Sequence, residues 1–456
     1  MPRFHVKITG RDYQAMADLV LKYKVHVARH TVEKLARGFR VNAQADGRQL
    51  RTLEAAGYKI KRLEDVDKEG KKRQREVKQA AKRALGPILP PVILARYYTV
   101  AEVEDALTAL AKPPNNSFTS LIKLPNLTWE QRTCHALKIG KGAGANRPGI
   151  YFLGGVHARE WGSPDILINF IRQLIHAYAT SAPVTIGTNT FTASQIKNII
   201  DSKDVYVFPQ CNPDGRNYSL NTDANWRKNR RPAPPGHSQP ACVGVDINRN
   251  YDFLWNYATF YDASAPVQNS TNPCDYQVYI GPSAGSEPET KNAVWMFDNY
   301  PNIRYFIDIH SYSEDILYSW GDDDDQTTNP SMNFQNAAYN GKRGIAGDAK
   351  YKEYISGTDK TSAVKLANKM KTAIQNTRGR VYKVEQSMDL YPTAGTSDDY
   401  AFSRHFVNQH KAKVYSYTIE WGSPSNPTPF HPPYTEMQKI IQEITAALFA
   451  FCIAAT

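Results

Sequence analysis

Three short runs constrain this chain more than anything else in it. GIYFLGGVH (149–157), IRYFIDIHSY (303–312) and KVYSYTIEWG (413–422) stay almost continuously apolar until each meets an ionisable residue. Such runs fit central parallel strands covered on both faces, whereas a half-exposed strand alternates strictly. Between them lie helical patterns such as TVAEVEDALTALA and SPDILINFIRQLIHAYA, and a further buried strand, DVYVFPQCN. Strands alternating with helices predict an α/β fold, a mixed central sheet with helices on both faces. Open sheets of this kind place ligands beyond the carboxyl ends of the strands, so His157, His310 and Glu420 mark where chemistry is expected.

Charge divides the chain before any motif does. Residues 1–90 hold 22 Lys and Arg against 10 Asp and Glu, while the remaining 366 residues carry 34 of each sign. A nucleic-acid-binding main body is therefore not expected; the basic character belongs to an N-terminal attachment, whose own DNA binding would show as a salt-steep affinity. Its pattern runs RFHVKIT, YQAMADLVLKY, GFRVNAQA, RQLRTLEAAG and YKIKRLED, which predicts strand, helix, strand, helix, strand: a small α/β open sandwich over residues 1–67. Residues 68–95 follow as a basic linker, either a solvated helix or a connector open to proteolysis within about 68–90. Residues 96–456 form the main domain.

Five cysteines without a CxxC pair imply neither a disulfide framework nor a thiolate zinc site, and leave room for one bridge. The first twenty residues carry scattered charges and show no leader. No window reaches the length of a membrane span, and ITAALFAFCIAAT reads as the end of an amphipathic helix. The expectation is a monomer with no membrane partner.

His157 and Glu160 follow the first apolar run at HxxE spacing, so an imidazole and a carboxylate can turn toward one metal ion. Alone the pair also reads as a histidine capped by a carboxylate, and His310 alone reads as structural. Together they make a His, Glu, His set with a fourth position open to water, the arrangement of a catalytic zinc. Glu420 ends its strand in an apolar setting suited to a general base, or else begins a surface loop. Trp226–Arg230, Asp246–Asn250 and Leu390–Pro392 supply cationic and polar groups, either surface ion pairs or a guanidinium fork for an anionic substrate. The run Asp322–Asp325 reads as solvated, with calcium binding as the alternative.

The ordered set HxxE, NPDG (212–215), WRKNRR, GVDINRNYD, DIHSYS, LYPTAGTSDDYAF and a strand-terminal Glu resembles the funnelin zinc metallocarboxypeptidases of the carboxypeptidase A/B type, over about residues 96–456. The resemblance implies one Zn2+ held by His157, Glu160 and His310, with Glu420 as general base. It implies that Arg227 stabilises the oxyanion, that Asn248, Arg249 and Tyr391 clamp the C-terminal carboxylate of a peptide, and that Asp246 orients His157. Arg159 and Tyr312 would line outer peptide subsites.

Asp398, counted from Tyr391, falls where the family places the floor of the pocket for the departing side chain. A carboxylate there implies preference for Lys or Arg, the carboxypeptidase B pattern. The alternative is that Asp398 or Asp399 only pins a loop. The resemblance further implies a Cys242–Cys274 disulfide, hence an extracellular protein whose leader lies outside this chain, with which the sequons at Asn115, Asn126, Asn217 and Asn269 are compatible. The N-terminal unit would be a prodomain removed by an activating endoprotease.

Overall fold

Period-two alternation splits two of the central strands between two cores. In Gly149–Gly154, Ile150 and Phe152 join one apolar cluster, while Tyr151 and Leu153 join the other. Val205 and Val207 divide from Tyr206 and Phe208 in the same way along Asp204–Phe208. The first cluster is closed by helices Val100–Leu110, Gly162–Thr180, Ala193–Ser202, Gly357–Arg378 and Tyr434–Ala454. The second is closed by Pro288–Asn299 and Ser397–Val407. Helices thus cover both faces of a sheet whose strands are buried because both sides are apolar.

The computed structural model describes residues 2–23, 25–79, 95–142, 147–426 and 428–456. Across the eight-stranded sheet the order is Lys383–Gln386, Asp315–Tyr318, Tyr415–Glu420, Ile303–His310, Gly149–Gly154, Asp204–Phe208, His135–Ile139 and Thr119–Lys123. The four central strands, from Tyr415–Glu420 to Asp204–Phe208, are parallel, and antiparallel pairs flank them on both sides. The sheet is mixed, as expected. Contrary to the expectation that no window reaches a membrane span, helix Tyr434–Ala454 is by length and composition long and apolar enough to cross one. Here it is a core helix, with Met437, Ile441, Ile444 and Leu448 fully or almost fully buried.

The N-terminal unit departs from its expected order by one strand. Strands run in the order His26–Lys34, Phe39–Asp46, Arg3–Gly10, Lys59–Asp65, all antiparallel, with helices Tyr13–Leu21 and Gly47–Ala55. His26–Lys34 escaped the sequence reading because its ladder is irregular: pairing to its neighbour shifts between Ala28 and Glu33. The unit has its own core of Val6, Ile8, Leu19, Val41, Leu50 and Leu53.

Two further expectations change. Residues 66–79 form a helix that buries Val66, Gly70, Arg73, Gln74 and Val77, with Gln74 donating to the Ser219 carbonyl at 2.8 Å. The rest of the proposed cleavage stretch lies outside the described residues. The Asp322–Asp325 run is not solvated: Asp322 and Asp323 are fully buried. Arg343 stands 3.7 Å from Asp322, and Asp323 accepts the Gly344 amide at 2.7 Å. Among the described residues, neither belongs to a group arranged to hold a metal ion. Asn115 is buried too, so its sequon is closed to modification in the folded state.

Candidate active site

Three strand ends build the site. His310 and Glu420 terminate adjacent parallel strands and stand opposite each other in register. His157 lies three residues beyond the next strand, where Gly154–Gly155 turns the chain out of the sheet. Gly155 holds φ +66°, and a Cβ there would meet the Pro209 carbonyl at 3.1 Å. Glu160 follows within the same turn, just before helix Gly162–Thr180.

The donor atoms converge. His157 Nδ1 is 2.8 Å from Glu160 Oε1 and 3.0 Å from His310 Nδ1, which is 3.1 Å from Glu160 Oε2. The far nitrogens are spoken for: His157 Nε2 faces Asp246 at 3.2 Å and His310 Nε2 faces Asp308 at 2.9 Å. Each carboxylate fixes its imidazole so that Nδ1 points inward. Two ring nitrogens 3.0 Å apart beside a carboxylate can share one N–H between them or turn both lone pairs toward a cation. Two nitrogens and one carboxylate oxygen are a donor set that Zn2+ fits.

Electrostatics agree with that geometry. Burial pulls the His157 imidazole below its ordinary value, and Arg227 adds to this. Burial acts the same way on His310, but Asp308 and Glu160 outweigh it and hold the ring well above. Burial alone would raise Glu160; His157 and His310 keep it well below the usual carboxylate range. Glu420 is the reverse case, pushed up to about 8, chiefly by burial, with His310 pulling the other way. A divalent cation beside it would draw that value down toward one suited to a base.

A recess opens over this centre, lined by His157, Glu160, Arg227, Asn248, Arg249 and Tyr391, among others. Glu420, Arg159 and Tyr312 line it as well. Asp246 joins two parts of the site, accepting from Arg227 Nε and Nη2 at 3.0 and 2.9 Å while facing His157. Asn248 Oδ1 accepts the Ser397 amide at 2.8 Å, and Arg249 lies 5.9 Å from the Tyr391 ring centroid. Arg159 stacks on Phe430 at 3.9 Å.

Other expected residues lie elsewhere. Of the WRKNRR run only Arg227 faces the recess: Lys228 donates to the Ala241 and Asp275 carbonyls, Arg230 covers the Tyr218 ring at 3.8 Å, and Arg231 pairs with Glu287. Asp398 is buried and is not among the residues that line the recess, and its Oδ2 accepts from Ser387 and Thr418 hydroxyls at 3.1 and 3.2 Å. Thr418 precedes Glu420 by two residues on one strand face. Cys242 and Cys274 are bridged.

Sequence reasoning missed Asp308, Phe430 and Val27. Asp308 carried a signal, since a carboxylate two residues before a strand histidine shares its face. Phe430 sits in a loop without pattern. Val27 comes from the N-terminal unit and lines the same recess, a contact no local pattern announces.

Residues 108–447 match the sequence profile of the zinc carboxypeptidase family. Carboxypeptidase A1 of Rattus norvegicus is 31% identical over 329 residues, 72% of this chain and 62% of the rat protein. Carboxypeptidase B of Homo sapiens is 30% identical over 295 residues, 64% of this chain and 55% of the human one. The matched stretch spans less than two thirds of either relative. The fold resembles that of carboxypeptidase A from Helicoverpa armigera, with TM-score 0.70 and 20% identity over 100% of this chain and 97% of that one. It also resembles thrombin-activatable fibrinolysis inhibitor, with TM-score 0.69 and 19% identity over 99% and 98% of the two chains.

Proposed function

The chain belongs to the zinc carboxypeptidase family, and from that premise we propose that it hydrolyses the last peptide bond of peptides and proteins, with preference for C-terminal Lys or Arg. The observation that carries this reading is the convergence of His157, Glu160 and His310 beside Glu420 and a recess lined by Arg227 and Arg249.

His157, Glu160 and His310 would hold a zinc ion, which when bound would supply Lewis acidity to a carbonyl and to water at neutral pH. Glu420 takes the proton from the attacking water and returns it to the departing amine as the C–N bond breaks. Arg227 donates to the oxygen on which negative charge develops; its pairing with Asp246 keeps it in place for that step. Asn248, Arg249 and Tyr391 hold the substrate's terminal carboxylate, which restricts cutting to the last residue. Asp246 and Asp308 keep both imidazoles oriented.

Basic preference rests on Asp398, a buried carboxylate with two hydroxyl partners and, among the described residues, no cation as hydrogen-bond or salt-bridge partner. An apolar departing side chain would leave that charge uncompensated. Broad or hydrophobic preference is the second reading, favoured by the two hydroxyls that already satisfy Oδ2. The N-terminal unit acts as a prodomain, supported by Val27 in the recess lining, and an endoprotease cutting within residues 68–95 would relieve it. Export is supported by the Cys242–Cys274 bridge, since such bonds persist in oxidising compartments.

One assay tests the scheme: matched peptides ending in Lys, Arg, Phe or Leu, given to intact and clipped protein with and without chelator. Clipped protein should release Lys and Arg at least about tenfold faster than Phe or Leu, and chelator should stop all release until Zn2+ is restored. Faster release of Phe or Leu removes the Asp398 argument. Release that ignores chelator removes the metallopeptidase reading.

A further inference from the structure

Helix Val66–Gln79 has two unlike faces. Val66, Gly70, Arg73, Gln74 and Val77 are buried, whereas Lys68, Lys71, Lys72, Arg75 and Lys78 are exposed. Steps of three, four and three residues put Lys68, Lys71, Arg75 and Lys78 in one row about 15 Å long, with Lys72 beside it. Like charges at such spacing repel and weaken an isolated helix. The row persists because the opposite face is fastened to the main domain, with Gln74 bonded to the Ser219 carbonyl and Asn225 donating to the Val66 carbonyl at 3.3 Å.

Little on the protein compensates the row. Lys72 has Glu69 at 4.0 Å, and among the described residues no carboxylate pairs with Lys68, Lys71, Arg75 or Lys78. An open groove of about 640 Å³ runs beside it, lined in part by Lys68, Lys71, Arg75 and Asp223. Asp65 and Asp67 line the groove with Asp223, and Arg3, which reaches Asp67 at 2.6 Å and Asp223 at 2.5 Å, offsets part of their charge. The edge strand leading into the helix adds exposed Lys59, Lys61 and Arg62.

We propose that this face is a docking surface for a linear sulfated polysaccharide. A row of ammonium and guanidinium groups beside a groove matches repeating anions along an extended chain. The exposed positions of the helix offer no aromatic ring on which bases could stack and no apolar side chain to enter a bilayer, which disfavours single-stranded nucleic acid and membrane. The Cys242–Cys274 bridge points to an oxidising compartment, where extended polyanions are sulfated polysaccharides. The surface occupies the N-terminal part of the stretch in which the cut is proposed, so a cut beyond Lys78 would remove it together with the N-terminal unit, whereas the uncut form would keep it.

Full-length protein tested against heparin, desulfated heparin, duplex DNA and phosphatidylserine vesicles decides the matter. Heparin should bind tightest, with affinity falling steeply as salt rises. Lys68→Gln, Lys71→Gln, Arg75→Gln and Lys78→Gln combined should weaken heparin binding at least about tenfold, while equal charge removal at Lys291, Lys365, Lys369 and Lys439 should change it less than about twofold. Should the fourfold variant melt early, the pairs Lys68→Gln with Lys71→Gln and Arg75→Gln with Lys78→Gln replace it, each expected to cause part of the loss. Equal loss in the control variant, unchanged binding in the helix variants, or tighter binding to desulfated heparin, DNA or vesicles overturns the proposal.

Discussion

Asp308 and His310 stand two residues apart on one strand, so pleating alone puts their side chains on the same face, and the 2.9 Å contact between them follows from that register. Glu420 sits across from His310 yet has a different task, and two substitutions separate the roles. Asp308→Asn should keep the fold but release the ring, weakening Zn2+ binding by about 10- to 100-fold as read by metal-buffer titration. Glu420→Gln should leave bound zinc unchanged by elemental analysis and lower kcat by roughly 10²- to 10⁴-fold. Full turnover in the Glu420 variant would mean that another group moves the proton. His157, His310 and the base Glu420 were legible in the sequence because each ends an apolar run, and Glu160 because it follows the first of them at HxxE spacing. Asp308 was overlooked because a lone aspartate inside such a run passes for an irregularity. Phe430, which stacks under Arg159, could not be found, since a loop residue's partner is set by tertiary packing.

At the scale of elements, the sequence showed the central strands and helices of the main domain clearly, because burial on both faces writes itself as unbroken apolar runs. It did not show what helix Val66–Gln79 does. By composition that segment is among the most polar in the chain, and its burial depends on a surface 154 residues away: a Cβ on Gly70 would meet Ala224 Cβ at 2.5 Å. Glycine is needed there for close approach of the two backbones. Gly70→Leu forces a side chain into that contact, an overpacking cost of about 1–3 kcal/mol, which shifts a docking equilibrium by roughly 5- to 150-fold. If the N-terminal unit shields the recess through Val27, uncut Gly70→Leu protein should turn over peptides faster than uncut parent protein and expose residues 66–79 to added protease. Faster proteolysis without faster turnover would mean that the helix undocks while the recess stays open or closed for some other reason.

Across the whole molecule, the main domain's charges balance in number but not in exposure. Burial pushes the Asp165 and Glu353 carboxyls up to about 7. It pushes Glu289 and Asp323 up to about 8. Composition cannot reveal this, because it counts carboxylates without saying which ones packing has removed from water. The consequence runs opposite to the usual acid lability. Each of these groups holds its proton more tightly folded than unfolded, so between the unfolded value near 4 and the folded value of 7 to 8 the native state binds more protons. Stability from this source is complete below pH about 4 and drains away as pH rises through 7 to 8, at about 1.4 kcal/mol for each pKa unit separating the two states. Surface carboxylates such as Asp262, lowered to about 2 by Ser264 first and Lys350 after it, act only in strong acid and do not oppose this trend. The melting midpoint should therefore fall from pH 6 to pH 9. Glu289→Gln, which keeps the side chain's shape beside Asn229 without a titrating proton, should flatten that fall. A midpoint that stays level or climbs over this range would show that these carboxyls ionise without cost, and that water reaches them.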